Sequence, residues 1–176
     1  MKNSFLQSAA TNGLVIGLGL ILLATIDYVA GFYGQNTAFS LLSFAVMIGG
    51  LIWAATSYRK KELGNYMSYG QAFSYSISVS VVYSILSIIF TLILTRVIDP
   101  GYIDQVYTIT EQKLYDAGNL TEEQIDMAMS ISRRFTNPGV SSIIGFFSTL
   151  FVSTIISLIT SAVTMRKNPN PFMEQN

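Results

Sequence analysis

The chain has 176 residues, of which 51% are hydrophobic and 11% are charged, and its ten basic and ten acidic residues give a net charge of zero. Ordinary soluble domains carry about 25% charged residues, so the composition indicates a membrane protein, and the lack of net positive charge argues against nucleic-acid binding. The sequence contains neither Cys nor His, which excludes disulfides, thiolate nucleophiles, iron–sulfur sites and His-based catalytic triads.

Four long apolar stretches dominate the chain. They cover residues 12–33, 38–58, 70–94 and 140–164, and each is long enough for a helix that crosses the ~30 Å hydrocarbon core of a bilayer. Because they use more than half of the sequence, we expect one polytopic membrane domain over 1–176, with no room for a separate catalytic module. The predicted fold class is all-α, an integral membrane four-helix bundle.

The first stretch contains the one ionisable residue that lies well inside a predicted span. Asp27 shares a helical face with Gly13 and Gly17, so it should face other helices. An acid within a membrane is costly to bury and is a functional-site hypothesis by default. Arg96, at the outer end of the third stretch, lies at the right depth to pair with it. Two interpretations stay open: a structural acid near the interface, and a site that carries or senses a proton or ion.

The basic residues follow the predicted spans in an uneven pattern. Lys2, Arg59-Lys60-Lys61 and Arg166-Lys167 fall on one side of a chain that crosses four times. The segment 96–138 falls on the other side and holds four basic and seven acidic residues. The positive-inside rule therefore predicts that both termini are cytoplasmic.

A helical hairpin is predicted between the third and fourth spans, over about 99–136. Asp99 is a good N-cap for its first helix, Gly118 is a good stop, and Thr121 and Gln124 form a capping box for the second. The hairpin either caps the bundle or acts as a partner-binding or gating element.

Small residues recur at helical spacing in three of the stretches and predict close helix packing. The predicted packing seam consists of Gly13, Gly17, Ser76, Ser80, Ser141, Gly145, Thr149, Ser153 and Ser157. The alternative is a polar path lined by Ser and Thr. If the seam is correct, we expect Gly145→Leu to disrupt assembly.

Several short motifs resemble those of a known family. They are Arg59-Lys60-Lys61, Ser68-Tyr69-Gly70-Gln71-Ala72-Phe73, Leu120-Thr121-Glu122-Glu123-Gln124-Ile125 and Asn137-Pro138. In this order the chain, from about Phe5 to Lys167, resembles bacterial membrane proteins that carry the domain of unknown function 4199. The resemblance implies a four-span protein of the bacterial inner membrane, and it supplies no catalytic residue, ligand or reaction.

These observations predict a small non-enzymatic membrane protein that acts as a structural or partner-interacting component. The alternative is a transporter or channel component that uses Asp27 and a Ser/Thr-lined interior. No cofactor and no metal are expected. The expected partners are membrane lipid and either a second copy of the chain or another membrane protein, bound through the outer hairpin.

Overall fold

The structure is a computed structural model that describes residues 2–134 and 138–169, with side chains over 4–133 and 143–169. Over these residues the fold is all-helical, which confirms the predicted fold class at that level. The helices are α1 (Lys2–Val29), α2 (Thr37–Glu62), α3 (Tyr69–Ile93), α4 (Tyr102–Ala117), α5 (Glu122–Arg134) and α6 (Pro138–Thr164). A π-helical turn, Leu94–Ile98, extends α3.

Four of these helices are long and apolar enough to cross a membrane. They include the stretches Ser4–Val29, Thr37–Glu62, Tyr69–Ile98 and Ile143–Thr164. Helices α4 and α5 are shorter and form the hairpin between α3 and α6. The last part of the predicted hairpin, residues 135–136, lies outside the described residues.

Helix α1 is displaced along the chain from the predicted stretch. It begins about ten residues earlier because its polar first turns also carry an apolar face: Ala9 is buried and the Phe5 ring packs edge-on against Tyr58 and Tyr75. It ends at Val29, and the backbone then takes a left-handed conformation at Gly31 (φ +75°). Glycine adopts that conformation without steric cost and commonly ends helices.

Helix α3 lies at the centre of the long helices and packs mainly against α1 and α6, while α2 packs against α1 and α6. We call the end with the α2–α3 joint the inner end, and the end with the α1–α2 turn the outer end. The side chains with no exposed surface lie in the middle and inner parts of α2, α3 and α6; they include Leu51, Ala54, Ala55, Tyr75, Val79, Tyr83, Ser153 and Ser157. The core therefore lies toward the inner end.

The inner end is closed by contacts between the α2–α3 joint and the chain that leaves α6. Met67 and Arg166 exchange two backbone hydrogen bonds of 2.9 and 2.8 Å, and the Arg59 guanidinium donates to the Thr164 carbonyl. Ser68 and Gln71 form a capping box that starts α3. These contacts bring the basic residues at the end of α2 close to those that follow α6.

The outer hairpin follows most of its predicted signals. Gly118 (φ +65°) ends α4, and the predicted capping box of Thr121 and Gln124 is formed, with N–H···O distances of 2.9 and 3.4 Å. Asp99 does not cap α4 directly; its carboxylate accepts the Gly101 N–H at 3.0 Å, and α4 begins one residue later. The Lys113 ammonium donates to the Gln35 carbonyl at 2.7 Å and holds the hairpin against the α1–α2 turn.

Candidate functional site

Asp27 lies in the last turn of α1 and is 8% exposed. Its Oδ2 accepts the backbone N–H of Gly34 at 2.5 Å. Gly34 has φ +76°, a conformation that favours glycine. Among the described residues, the buried Oδ1 atom has no hydrogen-bond partner. Asp27 therefore fixes the α1–α2 turn with one carboxylate oxygen and leaves the other available.

The local electrostatics around Asp27 are negative. The last turn of a helix carries the partial negative end of the helix dipole, and the Asp27 carboxylate is placed there. Its backbone carbonyl accepts the Phe32 N–H at 3.0 Å, so the chain folds back closely over this end. This end of α1 therefore favours a positively charged neighbour.

Arg96 does not supply that positive charge. Its side chain is exposed on the π-helical turn after α3, while the adjacent Leu94 and Thr95 are buried. The carboxylate hydrogen bond of Asp27 goes to Gly34 instead. Asp27 and Arg96 therefore do not form the pair that the sequence predicted. The π-helical turn places Leu94 and Thr95 inward and leaves Arg96 exposed.

Asp27 borders a cavity of about 310 Å³ between the outer halves of α1, α2 and α3. Its polar lining consists of Asp27, Ser40, Ser43, Ser87, Thr91 and Tyr102. A second cavity of about 450 Å³ shares Ser40, Ser43 and Ser87 with the first and reaches Thr149 on α6. The outer half of the molecule therefore contains open space between its helices, whereas the inner half is closely packed.

Three of the hydroxyl groups that line this cavity donate in the same way. Ser40, Ser43 and Thr91 each donate to the backbone carbonyl four residues earlier in the chain, at 3.2, 2.9 and 2.9 Å. A hydroxyl has one donor and two acceptor lone pairs. These three side chains consequently keep only acceptor capacity for anything that enters the cavity.

A small polar cluster lies one helical turn nearer the inner end than Ser43, Ser87 and Thr149, which line the cavities. The Tyr83 hydroxyl and the Ser153 Oγ are hydrogen-bonded to each other, and Ser153 also donates to the Met47 sulfur at 3.8 Å. Tyr83 and Ser153 have no exposed surface. We call Met47, Tyr83 and Ser153 the floor of the cavity.

The predicted packing residues lie mainly below and beside this floor. Gly13 packs against Val79 and Val82, and Gly17 packs against Tyr83 and Leu86. The serines of the seam that lie in the inner half are buried between α3 and α6, with at most 1% exposure: Ser76, Ser80, Ser153 and Ser157. The glycines of α1 therefore pack on one side of α3, and the serines of α3 and α6 lie on its other side.

The outer part of the predicted α6 row faces α3 across a gap. Gly145 and Thr149 line a cavity of about 120 Å³ together with Ser84, Ser87 and Thr91 of α3. Gly145 is exposed, and the space where a Cβ would stand is open. Leucine has room there, so the expectation that Gly145→Leu disrupts assembly is corrected. The side chain of Ser141 lies outside the described residues.

Three tyrosines stand together at the outer rim of the cavity. The rings of Tyr28, Tyr33 and Tyr102 have centroids 5.6 to 6.0 Å apart. Burial raises the pKa of the Tyr102 phenol, and the nearby Asp27 carboxylate raises it further. Tyr102 therefore keeps its O–H at neutral pH and can donate a hydrogen bond as well as accept one.

The sequence marks Asp27 and offers a Ser/Thr-lined interior as an alternative, but the predicted interior does not include the α2 and α3 hydroxyl residues that line the cavity. A signal was present: Ser40 and Ser43 are three residues apart on α2, and Ser87 and Thr91 are four apart on α3, so each pair shares a helix face. Tyr102 had no such signal, because only the fold of the hairpin brings the start of α4 to α1. Over the described residues, no three His, Cys, Asp or Glu side chains gather as metal ligands.

Comparison with known proteins identifies a family. No curated protein and no solved structure matches the chain. The family model described as "Protein of unknown function (DUF4199)" matches residues 11–166. That match covers most of the 176 residues and confirms the resemblance drawn from the short motifs. The chain belongs to the DUF4199 family.

Proposed function

We propose that this chain is a four-span protein of the bacterial inner membrane with both termini in the cytoplasm. In this proposal it is a non-enzymatic structural or partner-interacting component. The observation that carries the proposal is the packed inner half: Leu51, Ala55, Tyr75, Val79 and Tyr83 have no exposed surface. Such a core joins the four helices into a sealed unit and leaves the outer side for interaction.

The orientation rests on charge. Arg59, Lys60 and Lys61 occupy the last turn of α2, and the bridge between Met67 and Arg166 brings the basic residues after α6 to the same end. Positively charged segments beside membrane spans favour the cytoplasmic side. The inner end is then cytoplasmic, and the acidic hairpin faces outward.

The outer hairpin is the surface that we assign to a partner. Helix α5 buries Ile125 and Met129 and exposes Glu122, Glu123 and Asp126. Exposed acids of this kind attract a basic surface and increase its rate of encounter. The partner is thus another membrane protein or a second copy of this chain that offers basic residues on the outer side, while lipid covers the remaining helix surfaces.

A second candidate function is supported by the cavity at Asp27. A hydroxyl-lined cavity with a buried acid is what a component of a transporter needs to hold a solute. Because Tyr83 and Ser153 have no exposed surface, the path inward from this cavity is closed, and a transport role requires a second conformation in which the floor opens. The first proposal needs no such change.

Insertion of alkaline phosphatase tests the orientation, since this enzyme is active only outside the cytoplasm. Gly64 and Gly118 are matched insertion sites, because each is a glycine with positive φ in a turn that follows a helix (φ +60° and +65°). We expect activity for the insertion after Gly118 and none for the insertion after Gly64. The reverse pattern would invert the topology and place the hairpin in the cytoplasm, which would contradict the proposal.

A further inference from the structure

We propose that the cavity around Asp27 binds the primary ammonium group of a small organic cation. This inference goes beyond the structural and partner-binding role, because it assigns a ligand to the open half of the molecule. It depends only on the geometry of α1, α2, α3 and α4 around the cavity.

The cavity contains a buried acceptor that lacks a hydrogen bond. Asp27 is more than nine-tenths buried, and its Oδ1 has no hydrogen-bond partner while it borders the cavity. A buried charged acceptor without a donor is costly. A ligand with N–H donors and a positive charge would supply the missing hydrogen bond and compensate the charge of the acceptor. Charge-assisted hydrogen bonds are stronger than those between neutral groups.

Most of the polar side chains that line the cavity can only accept hydrogen bonds; Ser87 and Tyr102 are the two that keep a hydroxyl hydrogen to donate. Ser40, Ser43 and Thr91 have committed their hydroxyl hydrogens to backbone carbonyls. Together with the free oxygen of Asp27, they form a set of oxygen atoms that can only accept. A primary ammonium group has three donors and no acceptor, so it matches this set. An anion or a carbonyl ligand would find few donors here.

The size and the apolar walls of the cavity fit an organic ligand. Its volume of about 310 Å³ is far more than a bare monovalent metal ion occupies. The remaining walls are apolar and aromatic and include Leu20, Leu23, Phe39 and Phe90. Aromatic faces attract cations, and apolar walls accept a short carbon chain. The ligand is therefore an organic ammonium compound rather than a metal ion.

Two acidic residues act on Tyr102 at the outer rim of the cavity. Asp27 and Asp99 both lie close enough to Tyr102 to act on its phenol, and Asp27 lies at the negative end of the α1 dipole. Clefts lined by one sign of charge concentrate ligands of the opposite sign. Entry of a cation is thus favoured from the outer end.

The test is calorimetric titration of the full chain, in nanodiscs of phosphatidylglycerol, with n-butylammonium and with the uncharged 1-butanol. We expect saturable binding of n-butylammonium and none of 1-butanol. Asp27→Asn should weaken binding by at least about tenfold, because losing one member of a buried charge pair costs more than the ~1.4 kcal/mol of a tenfold change. Asp116→Asn removes an exposed acid of the same outer segment and should leave binding unchanged.

Thr91→Val keeps the shape of the side chain and removes one acceptor, so it provides a second variant if Asp27→Asn fails to fold. We expect it to weaken binding several-fold. The proposal is overturned if n-butylammonium does not bind, if Asp27→Asn or Thr91→Val binds it as well as the original chain, or if sodium chloride displaces it at equal concentration. The last result would assign the site to a monovalent metal ion.

The ammonium group can belong to a free amine or to a lipid headgroup, and a second arm separates these sources. Nanodiscs that also contain phosphatidylethanolamine present a primary ammonium on a lipid. The natural source is lipid if two results are found together. Phosphatidylethanolamine prevents n-butylammonium binding to the original chain, and native mass spectrometry finds this lipid bound to the original chain but not to Asp27→Asn. If n-butylammonium binding is unchanged, the source is a free amine. Failure to bind either source would overturn this inference alone and leave the proposed topology and scaffold role intact.

Discussion

Gly13→Leu is expected to destabilise the fold by about 3 kcal/mol, at the upper end of the usual cost of overpacking a core. A Cβ atom at position 13 would lie 2.6 Å from the Val82 Cβ and 2.9 Å from the Val79 carbonyl oxygen. A backbone oxygen cannot turn away as a side chain can, so α1 would have to separate from α3. The effect should appear as a lower melting temperature and a lower folded yield in detergent.

Gly145→Leu is the matched control for this substitution. It also places leucine at a glycine of a long apolar helix, but the space around a Cβ there is open. Its stability should stay within about 0.5 kcal/mol of the original chain, as for other surface substitutions. Equal losses for the two variants would mean that leucine at any helical glycine disturbs the protein, and the assigned contact between α1 and α3 would then be wrong.

Tyr75→Ala is expected to cost about 4 kcal/mol, the scale of a large aromatic side chain removed from a core. Tyr75 has no exposed surface, and its ring stacks on Tyr58 with centroids 4.2 Å apart and meets Phe5 edge-on. It is therefore the contact through which α1, α2 and α3 meet at the inner end. Unfolding by a graded denaturant, followed by tyrosine and tryptophan fluorescence, would measure the loss.

Tyr75→Phe removes the hydroxyl and keeps the ring, so it separates their contributions to stability. The hydroxyl accepts a hydrogen bond from the Asn12 side chain at 2.7 Å and is 2.8 Å from the Ser8 Oγ. Its removal should cost about 1 kcal/mol, as for other polar contacts between membrane helices. A loss as large as that of Tyr75→Ala would show that the hydrogen bonds, and not the ring packing, hold this junction together.

The sequence predicts the long helices well because length and apolar composition determine them directly. It predicts the ends of α1 poorly for a physical reason: residues before Asn12 are polar enough to look like a tail, and only contacts of Phe5 and Ala9 with other helices make them part of α1. The end at Val29 depends on positive φ angles at Gly31 and Gly34, which composition does not specify.

The candidate site could likewise be predicted from the sequence only in part. The cost of a buried acid marks Asp27 in the sequence without any knowledge of the fold. Its hydrogen-bond partner Gly34 is seven residues away, and that contact depends on the path of the turn. The cavity depends on how far the outer halves of the helices separate, which is a property of packing. The same separation leaves a gap between Gly145 and α3, where the spacing of Gly145 predicted close packing.

The outer half of the molecule is open as far as Asp27, and the inner half is sealed below Tyr83. Single cysteines introduced into this naturally Cys-free chain test both parts, with a membrane-impermeant maleimide applied from each side. Ser43→Cys and Ser87→Cys should be labelled from the outer side, because both positions line the cavity. Ser80→Cys and Ser157→Cys should be protected from both sides until the protein is denatured, because both positions have no exposed surface. Labelling at position 80 or 157 in the folded protein would show that water reaches the inner half. Protection at positions 43 and 87 would mean that no cavity exists. Either result would contradict the account.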